Sequence, residues 1–126
     1  TRVESSAASD VYKRQIRALK QNEDLALLID QRDSSGLEID FFGKKVLATD
    51  GFANLAIKYK TMICPVYSIR NQNNKFQIIF EKPLRYEEYK NYDVKGLVEM
   101  IHKKYFEKWI THSPSQWLWV HKRWKL

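Results

Sequence analysis

Few residues in this sequence have the type and spacing to do chemistry. His102 and Glu107 are five positions apart, a histidine and a carboxylate of the kind that can share general-base work. They fall in a stretch with helical period, however, and on a regular helix residues five apart sit roughly 140° apart around the axis. The two side chains then do not meet, so His102 is read as a surface or partly buried helix residue and no catalytic residue is assigned. Asp30 closes the apolar run Leu25–Ile29. In open α/β sheets ligands collect at the C-terminal ends of strands, which makes Asp30 a candidate for orienting an arginine or holding a substrate, with loop capping as the competing reading. The Arg32 fork matches phosphate oxygens, or is simply a solvated loop arginine. Thr49 to Gly51 open a helix, whose free amides favour an anionic group, although capping alone also accounts for Thr49.

The elements that must position these residues follow from period and composition. Ile16 to Asn22 has good helix formers and reads as the end of a helix. Leu25–Ile29 is a short continuous apolar run, the pattern of a strand buried on both faces in a largely parallel sheet. Gln31 to Leu47 holds Ser34-Ser35-Gly36 and Phe42-Gly43, so loop is expected, with one short strand around Leu37 to Phe41. Phe52, Leu55, Ala56 and Tyr59 recur at helical spacing, which places a helix over Asp50 to Tyr59 capped by Thr49 or Asp50. Met62 to Ile69 and Phe76 to Phe80 are β-rich and flank Asn71-Gln72-Asn73-Asn74, the composition of a turn, so an antiparallel pair is expected with Pro65 at an edge or bulge. Val94, Leu97, Val98, Ile101, Tyr105 and Trp109 form the stripe of a long amphipathic helix, supported by Glu99 and Lys103 at i, i+4. Pro114 separates it from a terminal segment rich in tryptophan and basic residues.

Composition narrows the classes further. With 44% hydrophobic and 29% charged residues in 126, the chain has the make-up of a single globular domain, not of a disordered segment. A formal charge of +7 favours phosphates, acidic proteins or anionic lipid without choosing among them. Cys64 is the single cysteine, which excludes an intrachain disulfide and a multi-cysteine metal site, and it is read as a small buried apolar side chain. No cofactor and no metal are assigned. No apolar run approaches the roughly 20 residues that span a bilayer. Thr1 to Gln15 shows neither a signal-peptide pattern nor a regular period. Asp10 to Gln15 also equals the in-frame translation of a transposase sequencing adapter. Residues 1–15 are therefore expected to be a disordered assembly artefact, with residues 16–126 the C-terminal part of a larger domain.

Separated blocks then carry a resemblance. These are Arg17-Ala-Leu-Lys20 before a run ending in Asp30-Gln31; Phe41-Phe42-Gly43; Ala48-Thr49-Asp50-Gly51 opening a helix; Cys64-Pro65-Val66; and Pro114 with Gln116-Trp117-Leu118-Trp119-Val120-His121-Lys122-Arg123-Trp124-Lys125. In order and spacing they resemble the C-terminal half of the lipid A biosynthesis lauroyl and myristoyl acyltransferases, within the lysophospholipid acyltransferase superfamily. The terminal Gln-Trp-hydrophobic-Trp block is the most specific. Arg32-Asp33 after Asp30-Gln31, and Asp50 in place of a common threonine, depart from the pattern and leave the acceptor lipid open.

The resemblance implies an α/β fold, a partial αβ sandwich of the lysophospholipid acyltransferase type with a long C-terminal amphipathic helix. It implies transfer of an acyl chain from acyl-carrier protein to the hydroxyl of a lipid A precursor or related glycolipid, at the cytoplasmic face of the bacterial inner membrane. It also implies a catalytic His-x4-Asp/Glu block upstream, so the chain alone is expected to be inactive. Asp30, Arg32, Thr49 and Gly51 become expected substrate contacts. Trp117 and Trp119 are expected to pack in the core, while Trp124, Lys122, Arg123 and Lys125 are expected to meet an anionic membrane surface or the acidic carrier. Two other readings stand beside it, an inactive remnant and a basic, aromatic nucleic-acid binding module; the second lacks RNA-binding or zinc-finger patterns, and no nucleic acid is expected as a partner.

Overall fold

A computed structural model describes residues 2–119 and 121–124. Helix α1 spans Arg2–Lys20 and so runs through the stretch expected to lack regular structure. No Gly or Pro interrupts it, and its Ala, Lys, Arg and Gln residues are good helix formers. Asn22 ends the turn that follows with φ of 58°. Leu25–Ile29 is not a strand. No described strand runs beside it, and only Leu25 and Ile29 are partly covered while Leu28 is 89% exposed. An apolar run becomes a buried strand only where neighbours offer it backbone partners, and here the next two strands pair with each other.

Those strands are β1 (Arg32–Phe41) and β2 (Lys44–Ala48), an antiparallel hairpin where mostly loop was expected. Phe42 and Gly43 form its two-residue turn, both with positive φ (53° and 73°), the conformation whose twist suits a tight hairpin. Phe42 pays the steric cost of a side chain there, and its amide is held by the Glu107 carboxylate at 2.7 Å. Between Arg32 and Leu37 the register slips. At that bulge Gly36 lies so close to the neighbouring strand that an added Cβ would be 2.0 Å from the Ala48 carbonyl oxygen, so only glycine fits. Alternation puts Ile39, Phe41, Val46 and Ala48 on one face, and all four are fully buried.

Helix α2 (Gly51–Tyr59) follows as expected, though neither Thr49 nor Asp50 caps it: Asp50 occupies the N-cap without a side-chain hydrogen bond. β3 (Val66–Arg70) and β4 (Phe76–Phe80) form the expected antiparallel pair across the asparagine turn, with Pro65 just before β3. Both sheets are two-stranded and antiparallel, so the described chain is mixed α/β, and the largely parallel sheet that was expected is not formed among the described residues. Cys64 is exposed rather than buried, because its neighbours alternate and Pro65 takes the inner position.

After the short α3 (Tyr86–Tyr89), whose buried Tyr89 hydroxyl donates to the Ala56 and Thr61 carbonyls at the end of α2, the long helix runs as α4 (Val94–Ile101), one π turn (His102–Phe106) and α5 (Glu107–His112). The π turn has a cause in the sequence. Buried side chains advance in steps of four, through Leu97, Ile101 and Tyr105 and through Val98, His102, Phe106 and Ile110. That exceeds the 3.6 residues of an α-helical turn, and one widened turn, closed by the Glu107 amide on the His102 carbonyl, absorbs the difference. This helix and α2 cover the inner face of the first hairpin and make the core with it.

Candidate functional site

The C-terminal segment turns back after the 3-10 turn Pro114–Gln116 and locks onto the start of β1 and the end of β2. His121 Nε2 accepts from the Arg32 amide at 3.0 Å, and Arg123 donates to the Leu47 carbonyl at 2.8 Å. Pairing of Arg32 with Ala48 sets Arg32 beside the residue that precedes Thr49, and α2 begins two residues later at Gly51. One corner of the molecule therefore gathers Arg32, Thr49 and Gly51, with Asp30 two residues before Arg32. Asp30 is exposed, Arg32 and Thr49 are half-buried, and a side chain added at Gly51 would meet open space. The first amides of α2, without a side-chain cap, face the same corner with the positive end of the helix dipole.

Behind the corner lies a buried polar pair that the sequence reading missed. Arg123, expected to face head groups, is fully buried. Its guanidinium donates to His102 Nε2 at 2.6 Å and stands 5.5 Å over the Phe41 ring. Its Nε has no hydrogen-bond partner among the described residues, nor does any described carboxylate form an ion pair with it. Burial lowers the Arg123 pKa, and the nearby Asp30 charge opposes that shift. Carbonyl, ring face and imidazole together keep the charge tolerable away from water. His102 completes the pair from the π turn. Its Nδ1 lies 2.9 Å from the Val98 carbonyl, which fixes the Nδ1–H tautomer and leaves Nε2 as the acceptor for Arg123. Burial, together with the Arg123 charge, lowers its pKa to about 4, so the ring is neutral at pH 7.

His102 is thus engaged elsewhere than with Glu107, more firmly than helical angle alone required. Its acceptor nitrogen is engaged by a cation, the ring is sealed from solvent, and Glu107 points to the Phe42 amide instead. The signal available in the sequence was the step-of-four row that includes position 102.

The tryptophans also redistribute. Trp124 is half-buried, stacked on Phe41 with centroids 5.1 Å apart and planes within 4°, and donates to the Phe41 carbonyl at 3.2 Å. Trp119 stacks on Trp124 in turn, with centroids 6.1 Å apart, and is 55% exposed instead of packed in the core. Trp117 is half-buried against the core, as expected. Lys122 is exposed, and Lys125 lies outside the described residues. The reversal of Arg123 and Trp119 has one cause. Past Gln116 no helix forms among the described residues, so period could not say which side chains turn inward. Among the described residues no group of three His, Cys, Asp or Glu could hold a metal, and no helix is long and apolar enough to cross a membrane.

Neither the mixed α/β arrangement nor the terminal Trp-x-Trp and basic segment names a class of protein by itself. The family comparison fixes it: the family of bacterial lipid A biosynthesis acyltransferases matches residues 3–126, and the chain belongs to that family. That match includes Asp10 to Gln15. No curated protein in the comparison matches the chain.

Proposed function

We propose that the chain is the substrate-supporting part of an acyltransferase that moves a fatty acyl group from acyl-carrier protein to a hydroxyl of a lipid A precursor or related glycolipid. The reaction belongs at the cytoplasmic face of the inner membrane, and the two antiparallel hairpins belong to an αβ sandwich of the lysophospholipid acyltransferase type. The observation that carries this reading is the family match over nearly the whole chain. The corner at Asp30, Arg32, Thr49 and Gly51 supports it, because a cation beside uncapped helix amides suits a phosphorylated head group. Buried Arg123, backed by His102, acts as a positioning residue on the β2 side of that corner through the Leu47 carbonyl, and His121 holds the Arg32 amide on the β1 side. The chain alone is proposed to be catalytically inactive: its one buried histidine serves an arginine and is neutral.

Titration of the chain with a phosphorylated glucosamine-disaccharide lipid in detergent, followed by tryptophan fluorescence, tests the corner. Arg32→Ala is expected to weaken binding by about tenfold, or about 1.4 kcal/mol, while the exposed and distant Lys58→Ala leaves it unchanged. Equal binding of the dephosphorylated lipid would sink the assignment. A radiolabelled acyl-transfer assay with the same chain should give no product, and turnover would overturn the inactive reading.

A further inference from the structure

The outer face of the β3–β4 hairpin is apolar and open. Phe76, Ile78 and Phe80 are 65%, 66% and 70% exposed, and the register places Val66 opposite Phe80, Ser68 opposite Ile78 and Arg70 opposite Phe76 on that same face. The inner face is the one that meets protein: Tyr67 stacks on Trp109 at 4.4 Å, and Glu81 accepts from the Trp109 indole at 2.9 Å. Two cations flank the outer face. Arg70 lies over the Phe76 ring at 5.0 Å, and Lys82 is exposed two residues past Phe80. The Gln116 amide clamps the Arg70 backbone in both directions, at 2.7 and 3.0 Å. This brings the C-terminal segment to the same end of the hairpin, with exposed Leu118 and Trp119 following two and three residues later.

We propose that this face is the chain's contact with an anionic lipid surface, a proposal that rests on the acyltransferase reading. Contiguous exposed apolar residues are unusual on a soluble protein, and an apolar centre flanked by Arg70 and Lys82 suits the boundary between acyl chains and anionic head groups. A second copy of the chain suits it less. Two-fold contact through this face would bring Arg70 and Lys82 against the cations of another molecule of charge +7. The contact thereby moves from the terminal basic segment, where Arg123 is buried, to the second hairpin.

Co-sedimentation of the 126-residue chain with phosphatidylcholine vesicles, with and without phosphatidylglycerol, tests this. The chain is expected to bind the anionic vesicles, and Phe76→Ser with Phe80→Ser to weaken that binding by at least about tenfold. Unchanged circular dichroism and melting would confirm the fold, since both side chains are exposed. Arg70→Gln with Lys82→Gln should abolish the preference for phosphatidylglycerol. Undiminished binding by the phenylalanine variant would overturn the proposal, as would loss confined to Trp119→Ser with Lys122→Gln. A concentration-dependent dimer in analytical ultracentrifugation, abolished by the phenylalanine variant, would assign the face to a second copy and overturn it too. The vesicles contain neither acyl donor nor glycolipid. Vesicle binding without glycolipid binding would therefore uphold this proposal while failing the corner assignment; glycolipid binding without vesicle binding would overturn this proposal alone.

Discussion

The two hairpins are built alike and end differently. Both are two-stranded, antiparallel and joined by a short turn, yet Ile39, Phe41, Val46 and Ala48 of the first are fully buried while Phe76, Ile78 and Phe80 of the second stand mostly in solvent. Local pairing is equivalent, so what differs is cover. Helices α2 and α4 and the returning C-terminal segment close over the first hairpin, while Trp109 reaches one face of the second. Stability should be concentrated in the first hairpin, leaving the second free to meet another surface.

The largest expected effect lies at Phe41, which touches Trp124, His102 and Arg123 at once. Phe41→Ala should cost about 3–5 kcal/mol in urea unfolding, whereas Phe80→Ala should stay within about 0.5 kcal/mol. Equal losses would break the comparison.

A second effect is pH-dependent. His102 has a folded pKa of about 4 against an ordinary value of 6.5, so between these values the unfolded chain binds a proton that the folded one refuses. Stability is therefore complete above about pH 6.5 and falls as the pH drops toward 4, by at most about 3 kcal/mol. Unfolding free energies measured at pH 7.5, 5.5 and 4.5 should show this slope, and His102→Gln should flatten it. A slope that survives the substitution would place the titrating group elsewhere.

Smaller still is the tie between the first turn and the long helix. Glu107→Ala removes the acceptor from the Phe42 amide and should cost about 1–2 kcal/mol in thermal or urea unfolding. Least of all is the exposed Lys103–Glu99 pair at 3.8 Å, where Lys103→Ala should change stability by no more than about 0.5 kcal/mol. A larger loss there would show that the outer face of the helix is more than a solvated surface.

Much of the fold from Thr49 onward was legible because it obeys local rules. The asparagine turn between two β-rich runs, the helix after Thr49 and the long stripe from Val94 to Trp109 each carry their own period or turn chemistry, and each forms where expected. Leu25–Ile29 failed the same logic, since an apolar run states only that cover is needed and not that a partner strand is present. The Arg32–Phe41 strand was hidden by Ser34-Ser35-Gly36, which looks like loop and is a bulge. Of the candidate corner, Asp30, Arg32, Thr49 and Gly51 were all named from residue type, and the hairpin register brings the three downstream ones together.

By itself the sequence determined the family, through blocks whose order and residue types survive without coordinates, and it determined the elements whose period closes within a few turns. Only the tertiary structure decided which way the terminal cluster faces. Arg123 and Lys122 are neighbours of like charge in a segment with no helical period, so nothing local distinguishes them. One is drawn into the core by the Phe41 ring, the Leu47 carbonyl and the His102 nitrogen, 82, 76 and 21 residues away, while the other stays in water. Contacts that distant are made by packing, which no spacing along the chain encodes.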